Sequence, residues 1–337
     1  QGGTDPTVTD ADLILGYIDP IYFHAGKKRL YKELAHKAIK EKIADPMSID
    51  VPEAARLIKK VVDANMGDII MKETYLRGFD PRDFILFAAG GSGPTHCCGY
   101  GFYSKLEKIM VFPFSATFCA VGSAGMDIVH IYEQSKKIVL LEPGAKAYFD
   151  NYEDYNEVVE SLWQKAIRDI RGEGFSVENL ILRLELEMRF GGQIHVLRAD
   201  SPYLKIENID EVKAICQAFM KEFTDFYGSA AMYPEGGIEI HNFILHCSIP
   251  QHKIELPSYP VAGERVSKGA SKGERVVYWE EYGEFRKTQV LDQNELRPGN
   301  VMEGPAILEC KDTNVVLNPG AKMTVDRYLN LLIEKLS

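Results

Sequence analysis

The residues best suited to chemistry lie in one short stretch, Leu86-Phe87-Ala88-Ala89-Gly90-Gly91-Ser92-Gly93-Pro94. The continuous apolar run 84–89 is too short for a helix of its own and reads as a buried strand. It breaks at Gly90-Gly91-Ser92-Gly93, and Pro94 suits the first turn of a following helix. Glycines permit the positive φ of a sharp exit from a strand, and they leave no Cβ between the backbone and a flat ring. Ligands of α/β sheets sit beyond the carboxyl ends of strands. Gly90, Gly91, Ser92 and Gly93 are therefore candidate contacts for a flat, ring-bearing ligand, although a run of this kind also suits a plain turn.

Other polar residues give weaker leads. His96, just past the glycines, could touch a ligand or serve the helix start, and the structural role is the commoner one. Cys97 and Cys98 are neighbours, which makes a bridge between them strained, and they read as small buried thiols. None of the six cysteines, Cys97, Cys98, Cys119, Cys216, Cys247 and Cys310, forms a C-x-x-C pair. That pattern argues for free thiols in a reducing compartment and against a zinc ribbon. His195, His241 and His246 fall on expected strands. The five-residue spacing of the last two puts them on opposite faces, so no metal site is expected on this chain. No residue is assigned as catalytic.

Positioning these residues takes several elements. A helix over 29–45 carries Leu30, Leu34, Ala38 and Ile39 on one face. A second, over 52–74, starts with Asp50 and Glu53 at capping-box spacing and keeps Ala54, Ile58, Val61, Val62, Met66, Ile69 and Ile70 in a 3.6-residue period. A helix after Pro94, a strand over 108–112 and a small-residue helix over 115–127 complete an α/β layer arrangement. Residues 1–26 read as loop. An α+β block follows: amphipathic helices over 151–171 and 210–227, a strand over 182–190 that alternates apolar residues with Arg183, Glu185, Glu187 and Arg189, and a strand over 238–249. The alternating charges read as a solvated or subunit-facing side of a sheet. Residues 250–273 read as linker, and short strands over 276–279, 285–290, 306–309, 315–317 and 322–325 make the end β-rich. The expected domains are 1–135, 136–255 and 256–337.

Of the 337 residues, 45% are hydrophobic and 26% charged, an ordinary globular balance. The formal net charge is −10, with no basic stripe, which argues against nucleic acid as a partner. No apolar run approaches a membrane span and no signal peptide is visible, so no membrane association is expected and the cytoplasm is the default location. The chain opens on Gln1 rather than Met, and this start is expected to be a cut within a longer polypeptide or a processed end.

The strand, the Gly90-Gly91-Ser92-Gly93-Pro94 turn and the helices around it resemble the adenosine motif of the actin, Hsp70 and sugar kinase superfamily. In that fold the helix before the strand adds to the adenosine wall, which here nominates Asn65 and Lys72. Ala120-Val121-Gly122-Ser123-Ala124-Gly125 resembles its small-residue hinge helix. More broadly, Gly2-Gly3-Thr4-Asp5-Pro6-Thr7-Val8-Thr9-Asp10-Ala11-Asp12, Asn65-Met66, the run Arg77-Gly78-Phe79-Asp80-Pro81-Arg82-Asp83-Phe84 and Thr95-His96 resemble the hydantoinase A and 5-oxoprolinase family. So do Gly191-Gly192-Gln193, Gly304-Pro305-Ala306-Ile307 and Asp312-Thr313-Asn314-Val315-Val316. The matches run the length of the chain in order. Within that family, Cys97-Cys98-Gly99-Tyr100-Gly101 and Met126-Asp127-Ile128-Val129-His130-Ile131-Tyr132-Glu133 are most similar to the ATP-binding subunit of ketone carboxylases of the acetone carboxylase type.

The resemblance implies the second half of an actin-like, ribonuclease H-like ATPase fold, followed by an α+β and a mainly β domain. It implies ATP and Mg²⁺ as cofactors, with Asp10 near the nucleotide, and a further metal such as Mn²⁺ on a partner subunit. It also implies a hetero-oligomeric complex in which a small ketone and bicarbonate are activated by phosphorylation. Lactam hydrolysis, as in hydantoinases and oxoprolinases, is the alternative within the family, and a non-catalytic nucleotide-binding scaffold is the alternative outside enzymes. The family's Asp-x-Gly-Gly-Thr phosphate loop and its second phosphate loop find no match here. The chain alone, without the N-terminal half of the same subunit, is therefore expected to contact adenosine without turning over ATP.

Overall fold

The computed structural model describes residues 3–144 and 147–336. Expectations that rest on Gln1 and Gly2 lie outside the described residues. The chain divides into two compact units, one made of residues 1–124 with 255–337 and the other of residues 125–254. Three consecutive domains were expected; instead the C-terminal segment closes on the N-terminal one.

The first unit opens with helices α1 (Val8–Leu15), α2 (Lys32–Ile39), α3 (Asp45–Met47) and α4 (Val51–Tyr75), then strand β1 (Ile85–Ala88), helix α5 (Gly93–Tyr103), strand β2 (Lys108–Val111) and helix α6 (Phe118–Ala124). Helix α1 replaces the loop expected there. Thr7 is its N-cap and Asp10 returns the bond, a reciprocal capping box that satisfies two free N–H groups. Helix α4 starts where expected, with the Asp50 carboxylate accepting from the Glu53 N–H at 2.8 Å. The apolar stripe of α4 is only partly used, however: Ala54 and Ala55 are fully buried, whereas Val61 is 57% and Ile69 63% exposed. Strand β1 is an edge strand with Phe87 exposed, not the doubly covered strand expected. The small-residue helix α6 buries no side chain.

The second unit runs β3 (Ile128–Leu141), α7 (Tyr152–Gly172), β4 (Ile181–Phe190), β5 (Leu197–Asp200), α8 (Ile209–Tyr227) and β6 (Ile238–Ile249). Its strands form an antiparallel sheet in the order β3-β6-β4-β5. Leu184, Leu186, Met188 and Phe190 join Phe219, Phe223, Tyr155 and Leu162 of the two helices in one core. The opposite face carries Arg183 bonded to Glu185 and Asp200, and Arg189 bonded to Glu239. His241 and His246 share this face, contrary to the expectation from their spacing. A bulge in β6 at His241, opposite Glu187 and Met188, inserts one residue and flips the parity. They bond different carboxylates, His241 to Glu239 and His246 to Glu185.

The chain then returns to the first unit with β7 (Ser271–Trp279), β8 (Glu284–Asp292), β9 (Val301–Glu303), β10 (Ala306–Glu309), β11 (Asn314–Leu317), β12 (Ala321–Val325) and β13 (Leu331–Lys335). Strands β1 and β2 are parallel, joined by α5, and β13 adds to β2 antiparallel, giving a sheet of order β1-β2-β13-β12-β9. A second sheet has the order β11-β10-β8-β7. The two ends of the sequence therefore share one core, in which Ile109 and Val111 pack with Met323 and Ile333. Among the described residues no helix is long and apolar enough to cross a membrane.

Candidate functional site

Strand β1 delivers the chain to Gly90, whose φ of +87° only glycine adopts without strain. The Gly90 N–H is fixed by the Ser115 carbonyl at 2.7 Å. At Gly91 and Gly93 an added Cβ would meet nothing closer than 3.9 Å, so space is open above that backbone. Gly91 and Ser92 line a cavity of about 230 Å³. Thr9 and Asp12 of α1, Thr95 of α5, and Glu309, Cys310, Asp312 and Asn314 from around β10 and β11 close it, with Tyr22, Phe23 and Lys28 from the connection after α1.

The cavity is lined by charged side chains. Asp12, Asp19, Glu309 and Asp312 line it against one lysine, Lys28. Their basic partners stand beside or behind the wall. Glu309 is 2% exposed and is held by Arg275 and by Lys272 at 2.5 Å. Arg275 also reaches Asp19 at 3.2 Å, and His24 reaches Asp312 at 2.8 Å. The Lys272 ammonium lies 3.1 Å from the centre of the Tyr22 ring, a close cation–π contact. Burial pushes the Cys310 thiol up to about 12, so it stays protonated and unreactive at neutral pH.

Behind the glycine turn, α5 buries His96 between two carboxylates from two other helices. Nε2 of His96 is 3.1 Å from Oδ2 of Asp12 on α1. Nδ1 is 3.3 Å from Oδ1 of Asp63 on α4, within ion-pair distance but off the line of a hydrogen bond. Asp63 is tied in turn to Lys59, one helical turn earlier. Burial alone would lower the imidazole's affinity for a proton. The hydrogen bond to Asp12 and the Asp63 carboxylate beside Nδ1 outweigh it and raise the value to about 9, so His96 is an imidazolium at neutral pH. Gly99, one turn along α5, makes room for this chain, because a Cβ there would collide with the Asp63 carboxylate. Asp63 and Lys59 also line a second cavity of about 620 Å³, with Arg56, Lys60, Lys335, Tyr17, Phe102 and Tyr278 among its other walls.

The structure thus brings together Gly91, Ser92 and the turn that holds Gly90 and Gly93. It does not bring Asp10 or Asn65 to them. Both Asp10 carboxylate contacts go to Thr7, so the side chain is spent on the helix cap. Asn65 is exposed on α4 and is absent from the walls of this cavity. Asp12, two residues on, is the carboxylate that faces inward. The even spacing of Asp10 and Asp12 on a helix turns them roughly 200° apart, and a Thr-x-x-Asp pattern at residues 7–10 was the signal that could have separated them. The walls from β10 and β11 had no local signal. Among the described residues, no three His, Cys, Asp or Glu groups converge closely enough to hold a metal ion.

A hydantoinase/oxoprolinase model matches residues 1–132, and a hydantoinase/oxoprolinase C-terminal domain model matches residues 143–335. The acetophenone carboxylase gamma subunit of Aromatoleum aromaticum is 40% identical over 99% of this chain and 45% of its own length. The caprolactamase subunit alpha of Pseudomonas jessenii is 28% identical over 97% of this chain and 46% of its own length. The chain spans just under half the length of these relatives. A solved nucleotide-free structure of acetone carboxylase superposes with a TM-score of 0.84 at 26% identity, covering 98% of this chain and 46% of that one.

Proposed function

The chain belongs to the hydantoinase/oxoprolinase family, and on that premise we propose that it forms the nucleoside-binding part of the ATP-binding subunit of an ATP-dependent ketone carboxylase, within a hetero-oligomeric complex. The observation that carries the carboxylase reading is the 40% identity to an acetophenone carboxylase subunit over 99% of the chain, against 28% for a caprolactamase subunit. The nucleotide enters by its nucleoside end. Gly91 and Gly93 leave backbone open to a flat ring. The fold is read as the adenosine side of an actin-like ATPase, with the phosphates directed to residues outside this chain.

ATP, when bound, supplies the phosphoryl group that activates a carbonyl oxygen and bicarbonate. This chain's residues bind and orient the nucleoside: the Gly90–Gly93 turn lies against it, Ser92 and Thr95 flank it, and the Asp12–His96 pair forms the floor. The cavity's carboxylates do not fit a Mg²⁺ ion, since Asp19 and Glu309 are taken by Arg275, Asp312 by His24 and Asp12 by His96. Mg²⁺ is assigned to residues elsewhere in the complex. The isolated chain accordingly binds nucleoside but does not turn over ATP.

The test is ATP consumption by the native complex that contains this chain. Stimulation by acetone or acetophenone together with bicarbonate supports the carboxylase reading. Stimulation only by caprolactam, a hydantoin or 5-oxoproline overturns it in favour of lactam hydrolysis, the second reading, which the caprolactamase relative favours.

A further inference from the structure

Strand β1 lies at the edge of its sheet, and all four of its residues, Ile85, Leu86, Phe87 and Ala88, are apolar. Edge strands that face water are commonly guarded by a charge, a proline or a bulge, and β1 carries none of these. It also runs parallel to β2, and parallel strands occur with both faces covered. Helix α5 covers one face, where its backbone lies against Leu86 and Ile109.

The other face is apolar at this edge. Side chains alternate along a strand, so Phe87, Met110 and Leu332, which stand opposite one another on β1, β2 and β13, form a row on it. Phe87 is 55% exposed and Ile85, in the next row, 46%. Met110 and Leu332 are only half-buried. Phe112 and Phe118 extend the row past the end of β2: the Phe112 ring centre is 5.0 Å from that of Phe87 and 5.0 Å from that of Phe118. Helix α6, which starts at Phe118, buries no side chain. Further across the same face the rows end on Thr324, Lys322 and Glu303 of β12 and β9. The apolar ground is thus confined to the β1 side, where an aromatic cluster beside an unguarded edge marks an interaction surface.

Length points to the occupant. More than half of the acetophenone carboxylase gamma subunit and of the acetone carboxylase chain lies outside the part that this chain matches. The family's C-terminal domain model already falls within this chain, at residues 143–335, so the unmatched part of those relatives precedes the matched one. A segment of the same polypeptide is held at high effective concentration, whereas a separate subunit would leave these aromatic rings in water whenever it was away.

We propose that the N-terminal half of the same subunit docks on this surface, adding a strand to the free edge of β1 and covering Phe87, Met110 and Phe112. The proposal rests on the family match and is independent of the nucleotide reading.

Two measurements on the native complex test it. The first is hydrogen exchange, resolved by residue, across 84–89. All four amides of β1 are expected to exchange more than about a hundredfold more slowly than in an unstructured chain, as in a paired strand. An open edge leaves the outward amides near the unstructured rate, and that result overturns the strand addition. The second places p-benzoylphenylalanine at position 87 and irradiates complexes assembled from a mixture of light and heavy isotope-labelled subunit. An adduct within one chain, to a residue preceding the part described here, is the expected result. An adduct between a light and a heavy chain assigns the surface to a second copy, and one to a different subunit assigns it to that subunit; either outcome, or no adduct, overturns the proposal. Should the substituted chain fail to assemble, exchange is measured on the full-length wild-type subunit separated from its partners and diluted to a monomer. Protection of β1 that persists there supports the same-chain occupant, and protection that is lost overturns it.

Discussion

Replacing His96 by leucine removes the one cation between two buried carboxylates. Asp12 is 1% and Asp63 8% exposed, so neither recovers its water, and among the described residues Asp63 retains Lys59 as its one cation. Breaking a buried ion pair by removing one partner costs about 3–5 kcal/mol. The discontinuous unit that holds the site has about 200 residues, for which 1 kcal/mol moves Tm by about 2–4 °C. His96→Leu is therefore expected to lower Tm by roughly 10 °C. The pH dependence gives a sharper test. The imidazole is raised to about 9 in the folded state from an unfolded value of about 6.5. Such a group contributes its full stability below about 6.5 and loses it as pH rises through about 9. The shift corresponds to about 3 kcal/mol. Tyr17 and Tyr100, which feel the Asp63 charge, are pushed above their ordinary range by burial and do not titrate in this window. The assay is thermal unfolding of wild type and variant in parallel from pH 6 to 10, where the difference in Tm cancels groups common to both. The gap is expected to be widest at pH 6 and to close towards pH 10. Adding Asp12→Asn and Asp63→Asn to the leucine variant should return part of the loss, because the loss comes from unpaired charge. A gap that stays constant across the range refutes the imidazolium, and a variant as stable as the wild type at pH 6 refutes the buried relay altogether.

Three further outcomes follow from the same geometry. Gly99→Ala places a Cβ against the Asp63 carboxylate and should destabilise by about 1–3 kcal/mol, visible as a lower midpoint in urea. Gly91→Ala meets only ordinary space, so Tm should hold within about 2 °C while nucleotide affinity, measured by calorimetry on the native complex, falls several-fold; unchanged affinity would remove the turn from the site. Arg275→Met strips Glu309 of one of two cations and Asp19 of its only ion-pair partner among the described residues, and should cost about 2–4 kcal/mol by chemical unfolding.

Much of the architecture was written in local pattern. The strict alternation from Leu182 to Phe190 specifies a half-buried strand because side chains on a strand alternate faces, and β4 occupies Ile181–Phe190. The 3.6-residue period and the Asp50 cap place α4 within a residue or two of its observed ends. The glycine turn after β1 was legible because only glycine tolerates the φ at Gly90. What the pattern could not decide was which apolar faces find a partner. Val61 and Ile69 keep the period of α4 yet stay exposed, and Phe226 on α8 is 71% exposed. Nor does local sequence record an inserted residue in a paired strand: the bulge that sets His241 on the face of His246 exists only in the register against β4. The site follows the same division. The glycine turn of the cavity wall is local, but Asp12 of that wall is held by His96 and Asp63 from two other helices, and the far wall is Glu309 to Asn314, more than 200 residues later in the chain. The inward turn of Asp12 rather than Asp10 was a matter of tertiary structure, because burial beside a distant histidine, not the identity of the side chain, decides which of two nearby aspartates faces the interior.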